Sequence, residues 1–298
     1  MRLKDRDEPW TWVIGGQGML GHGVQKVLKS LQEPFLATDR RVDITHTGSL
    51  DEFLLSQSTP PTWVINCAAY TAVDRAERDE ETAFAVNALG PEILGQLARK
   101  YGFHVIHVST DYVFGGRPAA DLLETALPCP ISTYGRSKLE GEQRLLSRYP
   151  EATIVRTSWL FGPSGNHFVS KILRAMMERE VVHVVNDQEG RPTFTLDLAR
   201  ALVSLRKEHG LFHFANAGST SWHGFATHIR QTALELGLPV KCTEVQPIPS
   251  SAFPSVAKRP TYSVLSTDKV EGLGIMPRSW QAAVTEYLHS LDPHAPSP

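Results

Sequence analysis

Short apolar runs alternate with amphipathic, helix-length segments through the first half of this chain. The runs expected to form buried strands are residues 10–14, 35–38, 63–66, 103–108 and 153–156. Between them the apolar positions recur at helical spacing, for example over residues 82–100 and from residue 134 onward. Strands that alternate with helices form a parallel sheet with right-handed crossovers. The pattern therefore predicts an α/β fold.

The pattern changes after about residue 162. Helices are predicted over residues 167–179, 196–207 and 279–291 and from near residue 221, with strands at 181–185, 211–215 and 243–245. We therefore expect a sheet-forming domain, residues 1–162, completed by some later segments, and a smaller C-terminal α/β lobe, mainly residues 163–292, that binds substrate. The Pro-rich residues 293–298 are expected to be a disordered tail.

Composition excludes several classes of function. The 298 residues carry a formal net charge of −2, which gives no reason to expect nucleic-acid binding. No apolar run approaches the ~18 residues of a membrane span, and the charged N-terminus lacks the apolar stretch of a secretory signal. Cys67, Cys129 and Cys242 do not form a disulfide framework and indicate reduced thiols in the cytoplasm. The histidines do not cluster, so no metal site is predicted.

The turn after the first strand carries a glycine-rich motif. Gly16, Gly18 and Gly21 fit G-x-G-x-x-G, and Gly15, Gly18 and Gly21 fit a looser spacing. Glycine is needed there because the turn is tight and its backbone approaches a pyrophosphate closely. The helix that follows offers unpaired N–H groups to the phosphates. Lying between a strand and a helix, the motif predicts a Rossmann-type, doubly wound sheet that binds a dinucleotide.

The residues after the second strand bear on the choice of nicotinamide cofactor. Asp39 stands about 20 residues beyond the glycines, where an acid binds the ribose 2′-hydroxyl of NAD. Arg40 and Arg41 follow it, and an arginine there can take the 2′-phosphate of NADP. The two signals conflict, and the arginines equally fit a solvated surface; we predict NADPH, with NADH as the alternative. Asp43 and Ile44 are expected to flank the adenine.

A hydroxyl-rich strand end precedes a Tyr-x-x-x-Lys motif. Ser109, Thr110 and Asp111 follow an apolar run, while Tyr134 and Lys138 lie four residues apart and so share one face of a helix. Because an ammonium favours phenolate, we expect Lys138 to lower the pKa of Tyr134 from about 10. Thr110 would hold the substrate oxygen that receives the proton. The motif alone is common, and the dinucleotide motif upstream gives it weight.

Three further positions have both an ordinary and a functional interpretation. Asn87, inside a helical segment, is either locally bonded or bonds the backbone at a strand end and orders a proton path. Trp159, after the fifth strand, either packs in the core or walls a substrate pocket. Arg191, like Arg259 in a second basic turn, suits either a diphosphate or an exposed surface turn.

Together these residues resemble the extended short-chain dehydrogenase/reductase superfamily and, within it, the dTDP-4-dehydrorhamnose reductase family. The resemblance spans residues 13 to about 265, and its most specific segments are residues 66–77, Asn-Cys-Ala-Ala-Tyr-Thr-Ala-Val-Asp-Arg-Ala-Glu, and 108–114, Val-Ser-Thr-Asp-Tyr-Val-Phe. Residues 134–138, 156–162 and 191–193 add to it. Met19 departs from a Gln that is frequent in the family, and Tyr262 departs from an Asn.

The resemblance implies roles for particular residues. Thr110, Tyr134 and Lys138 would form the catalytic set, in which Tyr134 donates a proton as hydride adds to a C4 ketone and Lys138 holds the nicotinamide ribose. The residues implied to line the cofactor are Gly18, Met19, Leu20, Asp39, Asp43, Ile44, Ala68, Ala69 and Thr71. Thr110, Asp111 and Trp159 would contact the sugar nucleotide. The product would be dTDP-L-rhamnose, a precursor of cell-surface polysaccharide, and a homodimer is left open.

Three functions from different classes compete at this point. The first is NAD(P)H-dependent reduction of a dTDP-linked 4-keto-6-deoxy sugar. The second is another sugar-nucleotide reaction of the same fold, such as epimerisation or dehydration. Dehydratases usually place Asp-Glu after the catalytic hydroxyl, whereas Asp111-Tyr112 follows Thr110. The third is a non-catalytic subunit resembling the regulatory subunit of methionine adenosyltransferase, which the intact Tyr134 and Lys138 disfavour.

Overall fold

The computed structural model describes residues 8–115 and 121–291, so the predicted tail, residues 293–298, lies outside the described residues. The strands are β1 (Thr11–Ile14), β2 (Phe35–Thr38), β3 (Trp63–Asn66), β4 (His104–Thr110), β5 (Thr153–Thr157), β6 (Leu160–Phe161), β7 (Val181–Val185), β8 (Glu189–Gly190), β9 (Thr193–Phe194), β10 (Gly210–His213), β11 (Thr220–Ser221) and β12 (Glu244–Ile248). The helices are α1 (Met19–Ser30), α2 (Thr47–Leu55), α3 (Val73–Ala76), α4 (Glu80–Phe84), α5 (Gly90–Tyr101), α6 (Thr133–Arg148), α7 (Phe168–Glu178), α8 (Thr195–Ser204), α9 (Trp222–Glu235), α10 (Asp268–Glu271) and α11 (Trp280–His289). A π-helical turn, Ala85–Leu89, joins α4 to α5.

Several boundaries differ from those predicted, and three of the differences concern the sheet and the helix before β4. β4 continues to Thr110, because Ser109 and Thr110 still pair with β5. The single helix expected over residues 82–100 is divided by the π-helical turn. The strand expected at residues 211–215 ends at His213.

In the described part of the chain, six strands form one parallel sheet in the order β2-β1-β3-β4-β5-β10. The chain extends the sheet from β1 to β2 and then crosses to β3 on the other side of β1. The strand order therefore reverses between β1 and β3, and ligands bind outside the carboxyl ends of strands at such a switch point. The predicted doubly wound, Rossmann-type sheet is confirmed.

Helices cover both faces of this sheet. On one face, Leu28 of α1 and Leu202 of α8 are fully buried in the core. On the other face, Leu50 of α2, Leu94 of α5 and Leu145 of α6 are fully buried. Both α8 and β10 come from beyond residue 162, so the second half of the chain contributes to this three-layer unit.

The remaining C-terminal segments pack around a second core rich in aromatic rings. Phe161, Phe194, Phe225, Trp280 and Tyr287 are buried in it. Three short sheets border this lobe: β7 pairs with β12, β6 with β9 and β8 with β11. The lobe lies beside the carboxyl end of the main sheet, since β6 closely follows β5. Across the two described ranges, no helix is both long and apolar enough to span a membrane.

Candidate active site

The glycine-rich turn lies at the switch point and leaves no room for a Cβ at two of its glycines. Gly15 has a φ of 77°, and a Cβ there would lie 2.7 Å from the backbone nitrogen of Ala68. A Cβ on Gly21 would lie 2.3 Å from the carbonyl oxygen of Gly15. Gly18 immediately precedes α1, whose first turn, from Met19 and Leu20, has N–H groups without intrahelical partners. These residues fit the pyrophosphate of a dinucleotide.

The side chains after β2 bond to one another. Both carboxylate oxygens of Asp39 accept hydrogen bonds from Arg41, at 3.0 Å each, and one also accepts from Gln17 at 2.7 Å. The bonds from Arg41 lower the pKa of Asp39. Arg40 is exposed. A cation is therefore accessible beside an acid whose oxygens are already engaged.

Two other residues predicted to flank the adenine differ in accessibility. The carboxylate of Asp43 accepts from the backbone N–H and hydroxyl of Thr45, at 2.9 and 2.8 Å, so it stabilises its own loop. Ile44 is buried and lies against Gly90, where a Cβ would come within 2.9 Å of its side chain. The structure thus leaves Asp43 exposed at the surface and buries Ile44 beneath it.

The segment after β3 is held in place by Asn87. This asparagine is fully buried in the π-helical turn. Its Oδ1 accepts from the backbone N–H of Tyr70 at 2.8 Å, and its Nδ2 donates to the carbonyl of Tyr70 at 3.1 Å and to Ser137 of α6 at 3.0 Å. Of the two interpretations, a bond to the backbone after a strand is the one that the structure shows, while the proton path stays a prediction. Ala68 and Ala69 are half-buried and Thr71 is exposed in the same segment.

Thr110 and Tyr134 are brought together where β4 meets α6. Ser132 caps α6 by accepting from the N–H of Gly135, which places Tyr134 in the first turn. Tyr134 is 9% exposed, and the hydroxyl of Thr110 lies close enough to its phenol to act on its pKa. The Thr110 hydroxyl also lies 3.1 Å from Asp111 Oδ1. Two hydroxyl groups and a carboxyl group therefore converge at the carboxyl end of β4.

The prediction that Lys138 lowers the pKa of Tyr134 is wrong. Burial raises the pKa of Tyr134 to about 12, although the hydrogen bond with Thr110 acts in the opposite direction. The Nζ of Lys138 is directed instead to the carbonyl oxygen of Val108, at 2.7 Å, and to Nε2 of His107, at 3.2 Å. Burial lowers the pKa of Lys138 to about 8, so its positive charge is itself destabilised.

Asp111 is a carboxyl group in an unfavourable position for a charge. It is 2% exposed, and burial raises its pKa to about 6. Its Oδ1 bonds to Thr110, and among the described residues Oδ2 has no hydrogen-bond partner within 3.5 Å, although the hydroxyl of Ser263 is near enough to lower the pKa. A buried carboxyl oxygen without a partner is uncommon in folded proteins. It is the kind of group that a substrate hydroxyl would satisfy.

Trp159, which follows β5, has an uncommon backbone conformation. Its φ is 47°, and its ring stacks on Trp222 at 3.5 Å with the planes 7° apart. A Cβ on Gly190 would come within 2.6 Å of the Trp159 ring, so only glycine fits there. Positive φ values at bulky residues are often found near functional sites. The ring also packs against the aromatic core of the lobe, as the core-packing interpretation expects, and the pocket-wall interpretation stays a prediction.

Arg191 forms part of a polar network between the sheet and the lobe. It donates to Asp121 at 2.7 Å and to Thr267 at 3.1 Å, and its Nε is buried without a partner among the described atoms. Tyr262, which departs from the family residue, also donates to Asp121 at 3.0 Å. Arg191 is therefore not an exposed surface-turn residue, and its binding of a diphosphate stays a prediction.

A cavity of about 860 Å³ in the lobe was not predicted from the sequence. The residues on which its chemistry depends are Phe168, Trp222, Lys171, His183, Lys258 and Arg259. The basic turn at Lys258 and Arg259 was a visible signal, but the two aromatic residues come from different helices, α7 and α9. Among the residues that the structure describes, no cluster of His, Cys, Asp or Glu could hold a metal ion.

The glycine-rich turn at the switch point and the buried Tyr-x-x-x-Lys pair beside it are together the features of the short-chain dehydrogenase/reductase class. Comparison with known proteins then identifies the family. Residues 11–292 match the family model described as RmlD substrate binding domain. The chain is 38% identical over 286 residues to a dTDP-4-keto-6-deoxy-D-glucose reductase from Streptomyces niveus, covering 94% of this chain and 97% of that protein.

Two dTDP-4-dehydrorhamnose reductases are similarly close. The chain is 36% identical over 283 residues to the one from Aggregatibacter actinomycetemcomitans, covering 91% of this chain and 96% of that protein. The solved structure of the one from Bacillus anthracis, in complex with NADP, has a TM-score of 0.88 at 32% identity and covers 95% of this chain and 99% of that chain. This chain belongs to the dTDP-4-dehydrorhamnose reductase family, as its sequence predicts.

Proposed function

We propose that this protein uses NADPH to reduce the C4 ketone of a dTDP-linked 4-keto-6-deoxy sugar, with dTDP-4-dehydrorhamnose as the substrate. The observation that carries the proposal is that the hydroxyl groups of Thr110 and Tyr134 are buried close together near the glycine-rich turn. A ketone oxygen held between these hydroxyls would lie next to a dinucleotide bound at the switch point. Family membership supports the same reaction.

The proton step follows from the raised pKa of Tyr134. With a pKa of about 12 the side chain is a phenol at neutral pH, so it carries the proton that the product requires. Bound NADPH supplies the hydride. An alkoxide is a stronger base than a phenolate, so proton transfer from Tyr134 becomes favourable as charge develops on the substrate oxygen. Thr110 holds that oxygen, and the ammonium form of Lys138 donates to the nicotinamide ribose, as the resemblance implies.

The preference for NADPH is supported by the residues after β2. Asp39 is already bonded to Arg41 and Gln17, so it is poorly placed to accept from a ribose 2′-hydroxyl. Arg40 is exposed beside it and suits a 2′-phosphate. The remaining roles are assigned as the resemblance implies: Lys138 bonds the nicotinamide ribose.

The lobe cavity suits the nucleotide part of the substrate. Phe168 and Trp222 offer flat faces for a thymine ring, and Lys171, Lys258 and Arg259 offer cations for the diphosphate. Asp111 would accept from a sugar hydroxyl, and Trp159 would wall the sugar pocket. Arg191 would contribute a further cation once its ion pair with Asp121 is replaced by one with the diphosphate.

The direct experiment measures loss of NADPH absorbance with dTDP-4-dehydrorhamnose, and separately with dTDP-4-keto-6-deoxy-D-glucose, since relatives carry both names. Tyr134→Phe is expected to lower kcat by about 10²–10⁴-fold, with NADPH affinity unchanged in calorimetry. Tyr149→Phe is the matched control, because Tyr149 lies at the far end of the same helix. Near-normal kcat in Tyr134→Phe would exclude Tyr134 as the acid.

The cellular setting is also proposed. All three cysteines are free thiols in the structure, which supports a reducing compartment and hence the cytoplasm. The expected ligand is the nucleotide-sugar substrate, and we expect the protein to bind neither nucleic acid nor a membrane. A homodimer stays a prediction, and light scattering of the purified protein would establish the mass.

A further inference from the structure

Behind Lys138 lies a row of buried polar side chains to which the proposed reaction assigns no role. The register of the sheet pairs Asn66 of β3 with His107 of β4, and both are fully buried. Asn66 Nδ2 lies 3.0 Å from His107 Nδ1, and His107 Nε2 lies 3.2 Å from Lys138 Nζ. The row thus connects the segment after β3 to the lysine.

A backbone group fixes the direction of the hydrogen bonds in this row. The N–H of Ala68 donates to Asn66 Oδ1 at 3.0 Å, and a backbone N–H can only donate. The Asn66 amide must therefore present its NH₂ group to His107. Because that group only donates, Nδ1 of His107 must accept, and the neutral imidazole must carry its proton on Nε2. That proton points at Lys138.

The form of Lys138 that matches this donor is the neutral amine. An ammonium group has three donors and no acceptor, so its N–H would face the N–H of His107. An amine has one lone pair, which can accept from His107 Nε2, and two N–H groups. One of these donates to the carbonyl of Val108, at 2.7 Å. The other remains for the ribose.

We propose that Asn66 and His107 are positioning residues that set the ionisation of Lys138, by presenting to its nitrogen a donor whose direction the Ala68 backbone fixes. The consequence for turnover rests on the proposed function, whereas the tautomer of His107 does not. Burial supports the same conclusion: it lowers the pKa of Lys138 to about 8 and that of His107 well below its usual range, which keeps the imidazole neutral.

Other groups around Lys138 act on the same equilibrium. Those that face it or adjoin it are His107 on β4, the thiol of Cys67 after β3, Glu142 on α6 with its partner Arg156 on β5, Tyr134 one turn earlier on α6, Asp111 beside Tyr134, and the uncharged Asn87 and Ser137 from the π-helical turn and α6. Glu142 and Cys67 both raise the pKa of Lys138. The lowered pKa of Lys138 therefore persists although these two groups act in the opposite direction.

The row predicts an alkaline limit to activity. The proposed reaction uses the ammonium form of Lys138, which is lost as the pH rises through its pKa of about 8. A change that removes the fixed donor should let the ammonium persist to higher pH. The facing donors disfavour the ammonium, so their removal should move the limit upward by about one pH unit, which is about a tenfold change in the ratio of ammonium to amine.

The first test needs no substrate. The wild-type protein labelled with ¹⁵N-histidine would be examined at neutral pH by long-range proton–nitrogen NMR, which distinguishes the two neutral tautomers. His107 would be assigned from the signal missing in His107→Gln, or from the signal displaced in Lys138→Met if the first variant does not fold. A proton on Nε2 is expected. A proton on Nδ1, or on both nitrogens, would overturn the inference, and neither result depends on the reaction being correct.

The second test measures kcat/KM against pH. In His107→Leu an apolar side chain replaces the imidazole, so the fixed donor is removed without adding charge. The alkaline limit should rise by about one unit, so activity above the wild-type limit should be roughly tenfold higher relative to the plateau. His104→Leu is the control, because His104 lies on the same strand and bonds to Thr153 away from Lys138. An unchanged limit in His107→Leu would contradict the role of the row.

Discussion

The helix that carries Tyr134 and Lys138 is joined to the sheet by a buried ion pair, and breaking this pair should destabilise the protein. Arg156 of β5 donates to Glu142 of α6 through Nε at 2.9 Å and Nη2 at 2.6 Å. The side chains are only 3% and 5% exposed. Glu142→Gln keeps the shape of the side chain and removes its charge. The guanidinium would then be buried without a counter-charge.

The expected cost follows from the burial of the pair. Removing one partner of a buried ion pair typically costs about 3–5 kcal/mol, because the remaining charge is no longer compensated. Glu140→Gln on the same helix is the matched control. Glu140 pairs with Arg144, but their side chains are 35% and 41% exposed, and exposed pairs contribute roughly 0–1 kcal/mol. The two variants should therefore differ by several kcal/mol.

Urea unfolding followed by circular dichroism measures this difference. With a denaturant dependence of about 3 kcal/mol per M, the midpoint of Glu142→Gln should lie about 1–2 M below wild type. That of Glu140→Gln should lie within roughly 0.3 M of wild type. Equal midpoints for the two variants at unchanged slope would refute the argument that the Glu142–Arg156 pair is a buried, mutually dependent unit.

Three more changes test other parts of the site. Burial raises the pKa of Asp111 from 3.8 to about 6, so ionisation of this carboxyl destabilises the fold as the pH rises from about 4 to about 6. In unfolding experiments, Asp111→Asn should therefore be more stable than wild type by about 3 kcal/mol above pH ~6 and nearly equal to it below pH ~4. Arg40→Ala should weaken NADPH binding by roughly 10–100-fold and NADH binding little, whereas Arg41→Ala, which frees Asp39, should favour NADH; calorimetry measures both. Gly21→Ala should weaken binding of either cofactor at least about tenfold in the same experiment, because its Cβ would displace the glycine-rich turn.

Each of these predictions has a contradicting result. A stability gain in Asp111→Asn that is the same at acidic and neutral pH would show that ionisation is not its cause. Equal losses of NADPH and NADH affinity in Arg40→Ala would show that Arg40 does not bind the 2′-phosphate. Unchanged cofactor affinity in Gly21→Ala would place the pyrophosphate elsewhere.

The strands of the sheet could be predicted because their sequences are short apolar runs with clear ends. β2, β3 and β7 have the predicted bounds. Helix α2 was missed, since it is nine residues long and buries only Leu50 and Leu54. The π-helical turn was missed because its geometry accompanies long-range bonds from Asn87 to Tyr70 and Ser137. A periodicity argument contains no such bonds.

The residues of the candidate site could be named from the sequence, but their electrostatics could not. Tyr134 and Lys138 share a helix face, and that spacing suggested a direct influence of one on the other. The Lys138 side chain is instead bonded to Val108 and His107, thirty and thirty-one positions away in the chain. Burial then determines both pKa values. The lobe cavity depends in the same way on Phe168, Trp222 and Arg259, which only folding brings together.

The central claim is that hydride reaches C4 of a dTDP-linked sugar at the site of Thr110 and Tyr134. The most direct measurement is a reaction with NADPH deuterated at the transferred position, followed by mass spectrometry and NMR of the sugar nucleotide. The account predicts one deuterium in the product, bound to C4 of the sugar, and no labelled product with Tyr134→Phe on the same time scale. Deuterium at another carbon, or NADPH oxidation without label in the sugar, would contradict it.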